Sequence, residues 1–167
     1  MISRILSSTE GIFTRRTVVT RHPEIAAICR ERGIDVVVHD LPYRSDTVRL
    51  GLETMGAADR CMFCAADQPL LRRESISSIV MAAVNDPFSI WRACFKERPG
   101  SPVLFPSWAF EKLMSLPQGK GGGFIAQMYP ERVRTLSVAN ELELMDADDQ
   151  ETLEMLIGKS FEMQNEW

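Results

Sequence analysis

Cys61-Met62-Phe63-Cys64-Ala65-Ala66-Asp67-Gln68-Pro69 is the stretch on which the reading of the fold turns. Six apolar residues in a row, closed by a turn signal, read as a short strand buried on both faces, as in the middle of a parallel sheet. A carboxylate directly after such a run is out of character for a core. Pro69 lacks a backbone donor and fixes the turn, so Asp67 is held at the carboxyl end of its strand. Open α/β sheets bind their ligands at that end, which makes Asp67 the first candidate for a chemical centre. Two readings stay open for it. It suits a hard cation such as Mg²⁺, which takes one or two carboxylates plus substrate phosphates. It also suits the turn or N-cap of the helix that follows.

Working outward, strands and helices alternate on both sides. A short helix spans Ile2 to Ser8, and Thr17-Val18-Val19-Thr20 reads as a strand. His22-Pro23 opens a helix through Arg32, with Gly33 as its stop. Asp35 to His39 is the next strand, and a helix runs from about Asp46 to Met55. Past Pro69 the pattern predicts a helix over Arg73–Asn85 and a strand over Ser89–Phe95. Lys96–Ser101 reads as a polar turn, Pro102–Phe105 as a short strand and Trp108–Leu116 as a helix. The loop Gln118-Gly119-Lys120-Gly121-Gly122-Gly123 leads to another helix, ending near Tyr129. Arg132–Val138 is the last strand and Asp149–Ile157 the last regular helix. This alternation predicts an α/β fold, a Rossmann-like three-layer α/β/α arrangement around a mostly parallel, mixed sheet. With 167 residues it is read as one domain over residues 1–157, followed by a C-terminal tail over 158–167.

Composition removes several function classes. Hydrophobic residues make up 45% and charged residues 25%, which excludes wholesale disorder. The net charge of −4 argues against nucleic acid as a partner, since phosphate-backbone binding needs a basic surface. Trp91, Trp108 and Trp167 are not interleaved with basic residues, so no base-stacking platform is visible. No apolar run reaches the roughly 18 residues that span a bilayer, so no membrane partner is expected. The start Met-Ile-Ser-Arg-Ile-Leu has no secretion-signal core, and a cytoplasmic protein with reduced thiols is the expectation.

Other constellations carry weaker chemistry. Asp146-Ala147-Asp148-Asp149 reads as an N-cap with first-turn charges, or, through Asp148, as a second metal ligand. Lys120 among its glycines resembles a phosphate cradle but lacks the Walker A spacing, and a flexible connection is the plainer reading. Cys61 and Cys64 form a C-x-x-C whose thiols would point to opposite faces of a strand, so they read as structural. A phospho-acceptor receiver would place an acidic pair after the first strand. Arg21-His22-Pro23 stands there instead.

Four segments in register resemble one known family. Cys64-Ala65-Ala66-Asp67-Gln68-Pro69-Leu70-Leu71 looks like the strand and Asp-Gln-Pro motif of the MobA/MocA-like nucleotidyltransferases of molybdenum cofactor maturation. Ser45-Asp46-Thr47-Val48-Arg49-Leu50-Gly51-Leu52 resembles that family's Ser-x-Arg-x-Gly-Leu helix start. Gly100-Ser101-Pro102-Val103-Leu104-Phe105 is similar to its Gly-His-Pro-Val-Leu-Phe segment, and Met145 to Glu151 to its closing acidic segment. Within the family these segments favour the cytidylyltransferase branch. The resemblance implies Mg-dependent transfer of CMP from CTP to molybdopterin-bound molybdenum, with release of pyrophosphate. Asp67 would be the catalytic carboxylate and, with Asp148, would hold Mg²⁺. Thr47, Arg49 and Gly51 would bind nucleotide, and Ser101, Pro102 and Lys120 the acceptor. The implied partners are CTP or GTP, the molybdopterin cofactor and a molybdoenzyme.

The departures from the pattern set further expectations. The family's first strand and its Gly-rich phosphate loop have no counterpart in this sequence. Ser101 replaces a His, and Asp149-Gln150 replaces Thr-Pro. An N-terminally truncated domain follows, lacking the central strand between the strands of Val18 and Phe63. The sheet should then show a gap or a repair there, and transfer should be impaired. The alternative is a non-catalytic cofactor-binding or partner module of the same fold.

Overall fold

The β-branched runs Thr17–Thr20 (β1) and Asp35–Val38 (β2) pair in parallel, Thr17 opposite Asp35 and Thr20 opposite Val38. Helix α2 (Pro23–Glu31) carries the crossover. Pro23 sits in its first turn, and Gly33 follows its end at φ +65°, a conformation that favours glycine. The computed structural model describes the backbone of residues 1–164 and the side chains of residues 1–159. Before β1 lies α1 (Ile2–Ser8); after β2 come α3 (Arg44–Met55), β3 (Arg60–Phe63) and α4 (Arg73–Asn85). The chain continues through β4 (Ile90–Phe95), β5 (Arg98–Pro106), α5 (Phe110–Met114), α6 (Gly122–Met128), β6 (Val133–Ser137) and α7 (Gln150–Gln164).

The second sheet has the order β3-β5-β4-β6. β5 is antiparallel to β3 and β4, and β6 is parallel to β4, so β5 alone reverses direction in a mixed sheet. Helices cover both faces. Ile79 and Ala83 of α4 pack on Ala93 and Leu104, while Val48 and Leu52 of α3 join Phe105, Leu113 and Ile125 on the other side. Ile2 and Leu6 of α1 close over Cys29, Ile34, Val18 and Val36. This is the expected three-layer α/β/α architecture.

β1 and β3 do not pair. Each has one neighbour, β2 and β5 respectively, and the two sheets stay separate. A cavity of about 520 Å³ lies between them, lined by Val18, Val19, Met62 and Phe63 among others. The gap expected in mid-sheet is therefore present, and the strands have not closed on each other. Met62 and Phe63, expected to be buried on both faces, are only half-buried because they border this cavity.

Several boundaries differ from the sequence reading. β3 ends at Phe63 rather than Ala66, so Cys64, Ala65 and Ala66 lead from the strand to the turn at Asp67. β5 begins at Arg98 rather than Pro102, because Lys96 at φ 53° turns the chain tightly and Phe95 pairs with Arg98. Its first two residues, Arg98 and Pro99, are exposed, and the strand is buried only from Pro102 on. The expected helix over Trp108–Leu116 is a 3₁₀ turn at Ser107–Ala109 followed by the shorter α5. α7 continues through Gln164 instead of ending at Ile157. Of the expected tail, residues 165–167 lie outside the described residues.

The candidate functional site at the strand ends

Asp67 stands in the turn after β3, four residues past Phe63, where the strand ends. A second segment ties this turn down. The amide of Ala147 donates to the Asp67 carbonyl at 2.7 Å, and Gln68 Nε2 donates to the Leu144 carbonyl at 3.2 Å and to Asp146 Oδ1 at 3.0 Å. The acidic run is thereby held against Asp67. Burial raises the Asp67 pKa above the ordinary carboxylate range, and the charges of Asp146 and Asp148 add to this; Arg44 opposes it. Asp67 Oδ1 is buried and has no hydrogen-bond partner. A buried, repelled and unsatisfied carboxylate oxygen fits a cation, which would reverse all three penalties at once. Among the described residues no group of three or more His, Cys, Asp or Glu side chains is placed to hold a metal ion by itself. A lone buried carboxylate of this kind suits a hard divalent cation whose remaining ligands are substrate oxygens.

Ser101 reaches the same place through a bulge. Arg92 faces Val103 and Cys94 faces Pro99, so two steps along β4 match four along β5. The extra residues lie in Gly100-Ser101-Pro102, where the Ser101–Pro102 peptide is cis. Bulges re-aim side chains, and here Ser101 Oγ accepts from the Ala65 amide at 3.1 Å, two residues before Asp67. Pro102 is fully buried behind it.

The start of α3 forms the other wall. Asp46 Oδ2 accepts from the Tyr43 amide at 3.1 Å, and its other oxygen takes Arg49 as a partner. Arg49 is therefore turned to its own helix. Thr47 Oγ1 lies 3.4 Å from His39 Nε2, at the carboxyl end of β2. Thr47 and Gly51, one turn apart, both line the cavity. Lys120 lies over the Phe124 ring at 5.7 Å. Its neighbour Gly121 abuts Arg44, where an added Cβ would come within 2.9 Å of Nε. The Lys120 loop and Arg44 are thus brought together.

The structure gathers Asp67, Ser101 and the acidic segment at one strand end, with Arg44 acting on Asp67 by its charge. Two residues carry more weight here than the sequence reading gave them. Arg44 was hidden beside Arg49, which fits the resemblance better. Asp146 weighs more on Asp67 than Asp148 does. Asp149 is the N-cap of α7, accepting from the Thr152 amide at 2.7 Å, which lowers its pKa. Cys61 and Cys64 are free and belong to hydrophobic clusters on opposite faces of the sheet. Burial pushes their thiols up to about 11 and about 12, which keeps them protonated and unreactive.

Comparison with known proteins bears on this geometry. A family profile described as MobA-like NTP transferase domain matches residues 1–133. No curated protein sequence matches the chain. The structure resembles Rv0371c from Mycobacterium tuberculosis H37Rv with a TM-score of 0.79 at 20% identity, covering 94% of this chain and 83% of that one. The same protein has also been solved in complex with manganese. A nucleotidyl transferase from Methanothermobacter thermautotroptrophicus follows with a TM-score of 0.77 at 16% identity, covering 95% and 81%. CMP:2-keto-3-deoxy-manno-octonic acid synthetase, solved with CTP, gives a TM-score of 0.74 at 12% identity, covering 97% and 88%. At these identities the likeness shows the fold.

Proposed function

This chain belongs to the MobA-like NTP transferase domain family, and from that membership we propose that it transfers CMP from CTP to molybdopterin-bound molybdenum in the cytoplasm. The observation that carries the reading is Asp67, whose Oδ1 is buried without a partner at the end of a strand. Asp67 would hold Mg²⁺, with Asp148 or Asp146 beside it. The cation supplies positive charge to the triphosphate. Arg44, which opposes the negative charge at Asp67, is placed to meet the same phosphates. Thr47 and Gly51 line the approach for the nucleotide, and Arg49 braces the start of α3 through Asp46. Ser101, with Pro102 behind it, and Lys120 face the acceptor side. An acceptor oxygen bonds to the α-phosphorus as the bond to pyrophosphate breaks, and pyrophosphate leaves. Catalysis of this kind is positioning and charge stabilisation. The synthetase solved with CTP and the manganese complex of the related fold support the nucleotide and a divalent cation by analogy.

Residues 1–167 hold no counterpart of the family's Gly-rich phosphate loop, so turnover by this chain alone should be slow. Losing one charge-stabilising donor costs about 10²–10³ in rate. The test is pyrophosphate release from CTP with Mg²⁺ and loaded molybdopterin. Slow, Mg-dependent release that vanishes in Asp67→Asn is expected. Release that Asp67→Asn leaves untouched would overturn the role of Asp67. Binding of molybdopterin without any pyrophosphate release would favour the non-catalytic module of the same fold.

A further inference from the structure

Arg92 is a half-buried cation without a counter-ion. It lies in β4, opposite Val103 of β5 on one side and Thr135 of β6 on the other, so these three side chains share one face of the sheet. On that face Ile90, Val103 and Phe105 pack under α3, α5 and α6. Beyond this cluster the face turns polar, and Thr135 and Ser137 of the edge strand β6 are exposed. Arg15, Arg98 and Arg134 stand further out in solvent than Arg92, yet each has a carboxylate partner. Among the described residues Arg92 has no such partner. Burial lowers its pKa, and only the nearby Cys94 opposes this. A charge withdrawn from water without a counter-ion is costly.

Its hydrogen bonds use one edge of the guanidinium. Nε and Nη2 both donate to the Gly100 carbonyl, at 3.4 and 3.2 Å. The other edge, formed by Nη1 and Nη2, has no further protein partner among the described residues, and Nη1 is not sealed from solvent. Two N–H groups on one guanidinium edge match the two oxygens of a carboxylate or phosphate. Gly100 precedes Ser101, whose Oγ accepts from the Ala65 amide close to Asp67. We propose that Arg92 binds an oxyanion of the acceptor, with Thr135 beside it on the open face. This rests on the reading that Ser101 faces the acceptor. β5, which carries Ser101, lies between β3 and β4. The oxyanion therefore sits at the end of the acceptor away from the oxygen that attacks the α-phosphorus. Arg92 selects the acceptor through a group that takes no part in the bond made. An uncharged acceptor of the same shape would leave the guanidinium desolvated and unpaired, and is rejected on that account.

The probes are inorganic phosphate and acetate, titrated into the whole chain at constant ionic strength, in EDTA and without CTP. Binding is followed by NMR at the Arg92 side chain and the Thr135 amide. A saturable shift is expected with at least one probe, and the tighter one assigns the oxyanion as phosphate or carboxylate. Arg92→Lys keeps the charge and loses the fork, and should weaken binding about tenfold. Thr135→Asp supplies a counter-ion across the strand pair. It should abolish binding and raise the melting temperature, and it decides the matter should Arg92→Lys not fold. Ser78→Asp, an equal charge change at an exposed position of α4, should leave binding unchanged. These arms need no transfer, so their result stands whether or not the chain moves CMP. In turnover, Arg92→Lys should raise the KM for loaded molybdopterin about tenfold and leave that for CTP unchanged. The absence of any shift with either anion would overturn the proposal. So would binding that Thr135→Asp leaves intact, or that Ser78→Asp weakens equally; an Arg92 that only braces Gly100 gives the former.

Discussion

Asp67 carries a penalty that its surroundings impose and a cation would remove. Its pKa is raised by burial and by Asp146 and Asp148. Above the ordinary value of 3.8, and up to its folded pKa, the folded state therefore binds more protons than the unfolded chain. Stability from this group is lost as pH rises through that window. Asp67→Asn should thus be more stable than the natural chain at neutral pH in a chelator, and the difference should shrink as pH falls toward 3.8. Thermal melts in EDTA across that range check this; a variant less stable at neutral pH contradicts the strained carboxylate. Asp67 was legible as a residue because an acid after six apolar residues needs a reason. Arg44 was not: nothing in its local sequence says that it, rather than Arg49, acts on Asp67 while Arg49 turns to Asp46. That choice is made by tertiary packing.

At the scale of elements, Glu143 shows how a distant residue completes a helix. Its carboxylate is 1% exposed and accepts from the Arg72 amide at 3.2 Å and from Ser75 Oγ at 2.5 Å. Both belong to the start of α4, whose N-cap Arg72 makes no side-chain cap hydrogen bond. Glu143 thus acts as the cap from outside the helix, with the favourable sign for a helix N-terminus. Glu143→Ala leaves these groups buried without partners and should cost about 1–3 kcal/mol. Glu143→Gln, which keeps an acceptor, should recover part of the loss. Urea titrations measure both, and an alanine variant equal to the natural chain would contradict the cap. No sequence pattern announces a partner 68 residues away. By contrast, β1, α1 and α4 were readable to the residue, because valine and threonine runs and regular apolar spacing act locally. β5 was underestimated because Arg98-Pro99-Gly100-Ser101 carries no hydrophobic pattern. Its bulge, which aims Ser101 at Ala65, arises from pairing with β4 and leaves no local trace.

For the whole molecule, the architecture follows from the alternation of strands and helices, and the split sheet follows from a strand that no described segment supplies. The candidate site and the split are neighbours, since the cavity runs up to Ala66 and Asp67 is the next residue. The central claim is that Asp67 holds a divalent cation against a triphosphate. Titration of Mn²⁺ into the chain with CTP, followed by electron paramagnetic resonance, tests it most directly. Mn²⁺ binding that CTP strengthens and that Asp67→Asn abolishes is the expected result. Equal Mn²⁺ and CTP binding by the natural chain and by Asp67→Asn would contradict it.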